Sequence, residues 1–181
     1  MVLVEPDGTI MHLITQSNLV EFMLLNLDRL HPAPDATLAE LEFWGTSPVQ
    51  CCDETTPTVE AFAVMLERRI TAMPLQSRSS PVSGTITVRH IKNLKTDNLD
   101  SLFTPIREFQ KKFQANYIPG NHRMTLRDLL RSMVVNVFHH LFIEEEGRVS
   151  HVITLTDVIN YLATEIWGEL RVNSEIYEGR D

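Results

Sequence analysis

The chain has 181 residues, 43 % of them apolar and 22 % charged, with a formal net charge of −8. That size suits one compact domain or two small, closely joined ones. The acidic balance speaks against nucleic acid, whose phosphates require a continuous basic face, and no stretch reaches the roughly 18 uninterrupted apolar residues of a membrane span. Met1 to Thr9 carries acids rather than the basic start of a signal peptide. A soluble protein without a membrane partner is expected, cytoplasmic and also nuclear in reach. The two cysteines, Cys51 and Cys52, are neighbours. They allow only a strained ring disulfide and read as two small buried thiols.

In chain order, Val4 to Leu19 (VEPDGTIMHLITQSNL) predicts strand, turn, strand and the start of a helix whose apolar positions are Leu19, Phe22, Met23, Leu27 and Leu30. Residues 31–36 (HPAPDA) read as a connector. A leading strand follows near residue 44, then an amphipathic helix over Thr58 to Arg69 and a second hairpin over Leu75 to Ile91. Residues 99–115 form another connector, partly helical through Leu102, Ile106 and Phe109. Beyond it come a helix over Thr125 to Asn136 and a strand opening on His139 and His140. A third hairpin from Ile143 to Val158 leads into a helix through Ile159 and Leu162. The polar tail after Trp167 is expected to fray.

The hairpins are copies of one another, and such a repeat decides architecture before local propensity does. Glu5, Gly8, His12, Ile14 and Thr15 align without a gap on Glu144, Gly147, His151, Ile153 and Thr154. Met65 and Met133 repeat at a shift of 68, and Thr87 and Thr154 at 67. The unit is strand, helix, strand, strand, helix. Its back half spans 1–30, one copy spans 37–98, and another, with its helical connector, spans 99–166, before the tail at 167–181. A half repeat would leave Leu13, Leu19, Phe22 and Leu27 uncovered unless another element packs on it.

The βαββα unit with the corner HVITLTDVINYLA resembles the cystathionine-β-synthase-type (CBS) repeat. TTPTVEAFAVMLERRITAMPL, GTITVRHIKNL and NVFHHLFI are similar to the last two repeats of the γ subunits of AMP-activated protein kinase. The resemblance covers about residues 1–166 and implies an α+β fold of tandem CBS repeats. These pair sheet to sheet as a Bateman module, with an extra half repeat at the N-terminus.

It further implies an adenine-nucleotide ligand, AMP, ADP or ATP. Asp157 would accept both ribose hydroxyls, since two carboxylate oxygens match two donors, and Thr154 and Thr156 would supply hydroxyls. Thr46, Gln50, Thr71 and Ala72 would line the adenine side, and His139 would approach the phosphates. His140 stands where these γ subunits have Arg, which lowers the fixed positive charge at neutral pH. His90 and Asn18 stand where Asp is expected; His90 cannot accept two hydroxyls as a carboxylate can, so the second cleft of the pair should be weak or empty, and the Asn18 copy lacks its own front half.

The implied function is nucleotide sensing by a regulatory subunit, not an enzyme, with no cofactor, metal or catalytic residue. Its implied partners are kinase catalytic and scaffold subunits, or a second copy in a homodimer. The alternative is a CBS-repeat interaction module whose ligand site has decayed.

Overall fold

The computed structural model describes residues 2–5, 7–30, 33–77, 81–113 and 117–165; the tail assigned to 167–181 lies outside the described residues. In chain order come β1 (Val2–Val4), β2 (Ile10–Leu13), α1 (Gln16–Leu25) and α2 (Leu27–Leu30). Then follow α3 (Thr58–Arg68), β3 (Ala72–Leu75), β4 (Gly84–Thr87) and two 3-10 segments, Val88–Asn93 and Thr96–Phe103. The last elements are α4 (Ile106–Phe113), α5 (Leu126–Val135), β5 (His140–Glu145), β6 (Arg148–Thr154) and α6 (155–165). The strands form three antiparallel-type hairpins, β1–β2, β3–β4 and β5–β6, in mixed α and β order as the repeat predicts.

The repeat is visible atom by atom. Cys52 makes a parallel bridge to Leu75 and Gly120 makes one to Ile143, and both members of each pair differ by the shift of 68 seen in sequence. Among the described residues the expected leading strands are reduced to isolated bridges, these two and Thr46 with Val152. The helices that follow them close alike, with Arg69 and Val137 both at φ 54°. Gly8 and Gly147 hold the hairpin turns at φ 88° and 76°, the left-handed region where a residue without Cβ is unstrained.

The helix after the second hairpin departs from expectation: it is a 3-10 turn. The chain beyond it is polar, and its side chains bond locally. Asn98 Oδ1 accepts from Lys95 N at 2.7 Å, and Ser101 Oγ donates to the Asn98 carbonyl at 2.6 Å. Such local bonds compete with helix continuation.

Two compact units emerge, and neither is a single repeat. One comprises the described parts of Met1–Gly45, His122–Leu141 and Ile153–Asp181; the other is Thr46–Asn121 with Phe142–Val152. In the first unit α1 packs on α5. Helix α5 is capped by Thr125, whose hydroxyl accepts from Asp128 N at 3.1 Å. It buries Leu126, Leu129, Leu130 and Met133, the i, i+3, i+4, i+7 stripe of a core-facing helix. Each such side chain contributes roughly 1.5–3 kcal/mol by leaving water. Helix α1 answers with Val20 and Met23, and Leu27 follows at 1 % exposure. The half repeat is therefore covered at Leu27. Leu13 and Phe22 stay exposed at 64 % and 56 %, and Val20 takes the inward place that Phe22 was expected to hold.

The same unit holds the first connector. Leu38 N donates to the Met124 carbonyl, Ala39 N to His122, Leu126 N to Ala36 and Arg127 N to Pro34. The second unit repeats the pattern with the roles exchanged. There Thr58 N donates to the Thr104 carbonyl, Ile106 N to Thr56 and Arg107 N to Glu54. Each connector thus pairs with the helix start of the other copy. In the second unit Ala61, Met65, Met73, Leu75, Ile86 and Ile106 form the core, and Phe109, fully buried, meets Phe62 edge-on. The helical reading of the 99–115 connector holds at Ile106 and Phe109.

Val137 is the strained point. A β-branched residue at φ 54° is an outlier with a cost of order 1 kcal/mol, and its side chain, 58 % exposed, recovers little by packing. Val137→Gly is expected to raise stability by about 1 kcal/mol in urea unfolding, with an unchanged slope; a loss of stability would show that the side chain is needed where it stands.

Candidate functional site

All three repeat corners are built on one device. At the last corner Thr154 N and Thr154 Oγ1 both donate to Asp157 Oδ2, at 2.8 and 2.7 Å, and Asp157 N donates back to Thr154 Oγ1 at 3.3 Å. This is a capping box, in which the threonine hydroxyl satisfies an orphan N–H of the helix start. At the first corner Thr15 N and Oγ1 meet Asn18 Oδ1 at 3.1 and 2.7 Å, with Asn18 N on Thr15 Oγ1 at 3.2 Å. At the middle corner Thr87 N donates to His90 Nδ1 at 3.2 Å. Asp157, Asn18 and His90 are therefore interchangeable as caps. They are not interchangeable toward a ligand, because only Asp157 brings a charged acceptor.

The expected site residues fall into two groups. His139 stands beside the last corner, since Leu155 N donates to the His139 carbonyl at 3.3 Å; with Thr154, Thr156 and Asp157 it belongs to the first unit. His139 precedes β5 rather than opening it. Thr46, Gln50, Thr71 and Ala72 belong to the second unit. There Thr46 exchanges both backbone bonds with Val152, at 2.8 and 3.0 Å. Gln50 Nε2 donates to the Cys51 carbonyl at 3.0 Å. The Thr71 carbonyl accepts from Val88 N at 3.0 Å, and Ala72 is buried in register with Thr87. Cys51 and Cys52 are half-buried, and burial pushes both thiols above the ordinary range. Glu144 accepts the hydroxyl of Tyr117, and burial together with that bond raises the phenol's pKa.

One residue was not anticipated. Gln16 Nε2 donates to Thr156 Oγ1 at 2.9 Å, joining the first corner to the last within the first unit. A signal for it does exist in the repeat. The two equivalent positions carry Val88 and Leu155, which is buried at 4 % exposure, so a glutamine there breaks an apolar pattern. Ser17 and Leu155, adjoining the bonded pair, line a cavity with Val20, Glu21, Met133 and Val137.

This architecture is that of CBS-domain proteins. The chain superposes on the CBS-domain-containing protein ATU1752 from Agrobacterium tumefaciens with a TM-score of 0.60 and 20 % identity, covering 72 % of this chain and 96 % of that one. Against the CBS domain pair of protein MJ0100, crystallised with 5′-methylthioadenosine and S-adenosyl-L-methionine, the values are 0.57 and 15 %, covering 73 % and 99 %. Against protein MJ1225 from Methanocaldococcus jannaschii, proposed as an archaeal homologue of γ-AMPK, they are 0.66 and 20 %, covering 87 % of this chain but 57 % of that one. In sequence, residues 105–164 match the model of the CBS domain. That span contains α4, α5, the β5–β6 hairpin and the Thr154–Asp157 corner.

The middle corner carries a pH dependence. Burial lowers the pKa of His90 below its ordinary 6.5, so just below that value the unfolded chain binds a proton that the folded chain refuses. Stability contributed by neutral His90 is complete above about pH 6.5 and falls as the pH drops through the window beneath it. His90→Asn keeps the cap that Asn18 already makes and removes the titration. Between about pH 7.5 and 5.5 its melting temperature should fall less than the parent's; an identical fall in both would assign the pH dependence to other groups.

Proposed function

We propose that this chain is an adenine-nucleotide-sensing CBS module and that Asp157 is its nucleotide-recognising carboxylate. The observation that carries the reading is the last corner, where a half-buried carboxylate, two threonine hydroxyls and His139 share one helix start. Capping consumes Asp157 Oδ2, and a carboxylate has lone pairs beyond those two bonds. A ribose hydroxyl donating to it forms a charge-assisted bond, worth roughly 1.5–3 kcal/mol. The adenosine-type molecules named with the MJ0100 pair support this ligand class.

The two βαββα copies would pair as a Bateman module. Gln76 supports this inside the second unit, with its side chain donating to the Gly147 carbonyl at 2.9 Å and accepting from Val149 N at 3.2 Å. The likeness to MJ1225 supports regulation of an AMP-activated-type kinase, with catalytic and scaffold subunits as partners. Nucleotide then acts only through its different affinity for two packings of the repeats.

A second reading rests on the capping boxes themselves. Thr154 and Asp157 are bonded just as Thr15 and Asn18 are, so the corner is fully explained as a helix cap in an interaction module without a ligand.

Asp157→Asn separates the two, because asparagine keeps the cap and removes the charge. Titration calorimetry with AMP should show binding by the parent and roughly tenfold weaker binding by Asp157→Asn, while His90→Asn stays near the parent. No binding of AMP, ADP or ATP by the folded parent would favour the interaction module. Equal losses in both variants would move the site away from Asp157.

A further inference from the structure

The half repeat contributes a side chain to the last corner. Gln16 Nε2 lies 2.9 Å from Thr156 Oγ1, and an amide N–H can only donate. A hydroxyl that accepts there must aim its single proton elsewhere, so Thr156 faces its surroundings as a donor. A ribose hydroxyl could be met by either kind of partner, but a phosphate oxygen at neutral pH requires a donor. Both Gln16 and Thr156 are exposed. The bond therefore does not fill a buried vacancy that packing would have required. The neighbouring cap, in contrast, needs no help from it: Thr154 both donates to and accepts from Asp157. Among the four residues of this corner, Thr156 is the one whose hydroxyl orientation is set from another repeat.

We propose that Gln16 is a positioning residue that holds the Thr156 hydroxyl as a hydrogen-bond donor for an anionic, phosphate-type group, so that residues 1–30 take part in selecting a nucleotide over its nucleoside. This rests on the nucleotide reading above and deepens it. Removal of the amide donor frees Thr156 to rotate. Replacement by a carboxylate turns the hydroxyl proton inward, toward residue 16.

The test uses the full chain, with AMP and adenosine as probes in titration calorimetry, and circular dichroism to check that each variant is folded. Gln16→Glu should weaken AMP about tenfold and leave adenosine within about twofold, lowering the AMP-to-adenosine selectivity. Gln16→Met, which removes the donor without adding charge, should lower that selectivity by a smaller factor. A carboxylate at residue 16 could also repel phosphate directly, and the Thr156→Val background separates this. There Gln16→Glu should have no further effect on AMP if it acts through the hydroxyl.

An equal loss of AMP affinity with and without the Thr156 hydroxyl would overturn the proposal in favour of bare charge repulsion. Parallel losses of AMP and adenosine would overturn it too, leaving Gln16 a structural contact. Unchanged binding in every Gln16 variant would do the same while leaving Asp157 as the nucleotide site. A folded parent that binds neither probe would remove the nucleotide reading, and this one with it.

Discussion

Short connectors cannot satisfy their own backbone, and in this chain each finds its partner in the other copy. The segment from Pro34 to Ala39 shares hydrogen bonds with His122 to Arg127, and the segment from Glu54 to Thr58 does so with Thr104 to Arg107. These crossings set the turn at Thr37 opposite Thr125 at the start of α5, and Pro57 at the start of α3 opposite Pro105 before α4, each across an antiparallel bridge. A buried N–H or carbonyl left unpaired costs about 1–3 kcal/mol, comparable with what burial of a whole side chain returns. The consequence is that neither unit is a repeat. Loss of one copy would strip the remaining one of a connector partner as well as a neighbour.

Within that frame the helix corners are conservative in geometry and divergent in chemistry. A threonine hydroxyl and a short acceptor three residues later close the helix start in all three copies. Carboxylate, amide and neutral imidazole all serve, because the cap asks only for a lone pair at the right distance. Selection acting on the fold would therefore accept any of the three. Selection acting on a charged or hydroxylated ligand would not, which gives Asp157 a significance that the cap alone does not confer. Two uses of one side chain are compatible, since the box engages one carboxylate oxygen.

The first thirty residues illustrate how a partial repeat is held by a neighbouring helix. Its helix supplies Val20 and Met23 to the face of α5, and Leu27 is closed over in turn. The hairpin ahead of it keeps Ile10, Met11 and Leu13 in solvent. Helix packing, rather than sheet pairing, ties this segment to the first unit. That same packing brings Gln16 to Thr156.

The sequence alone determined the repeat, its hairpins, its hydroxyl-bearing corners and the helix of α5. All of these follow from interactions within a few residues of one another, or from a pattern copied 67 or 68 residues along. It also marked Asp157 as the odd acid among three corners. Only the tertiary structure decided which face of α1 turned inward, because Phe22 and Val20 lie on competing stripes and the choice belongs to α5. Only it joined Gln16 to Thr156, 140 residues apart, and exchanged the connectors between copies. Pairings of that kind depend on where backbone donors from distant segments meet, and no local pattern of apolar and polar residues encodes that.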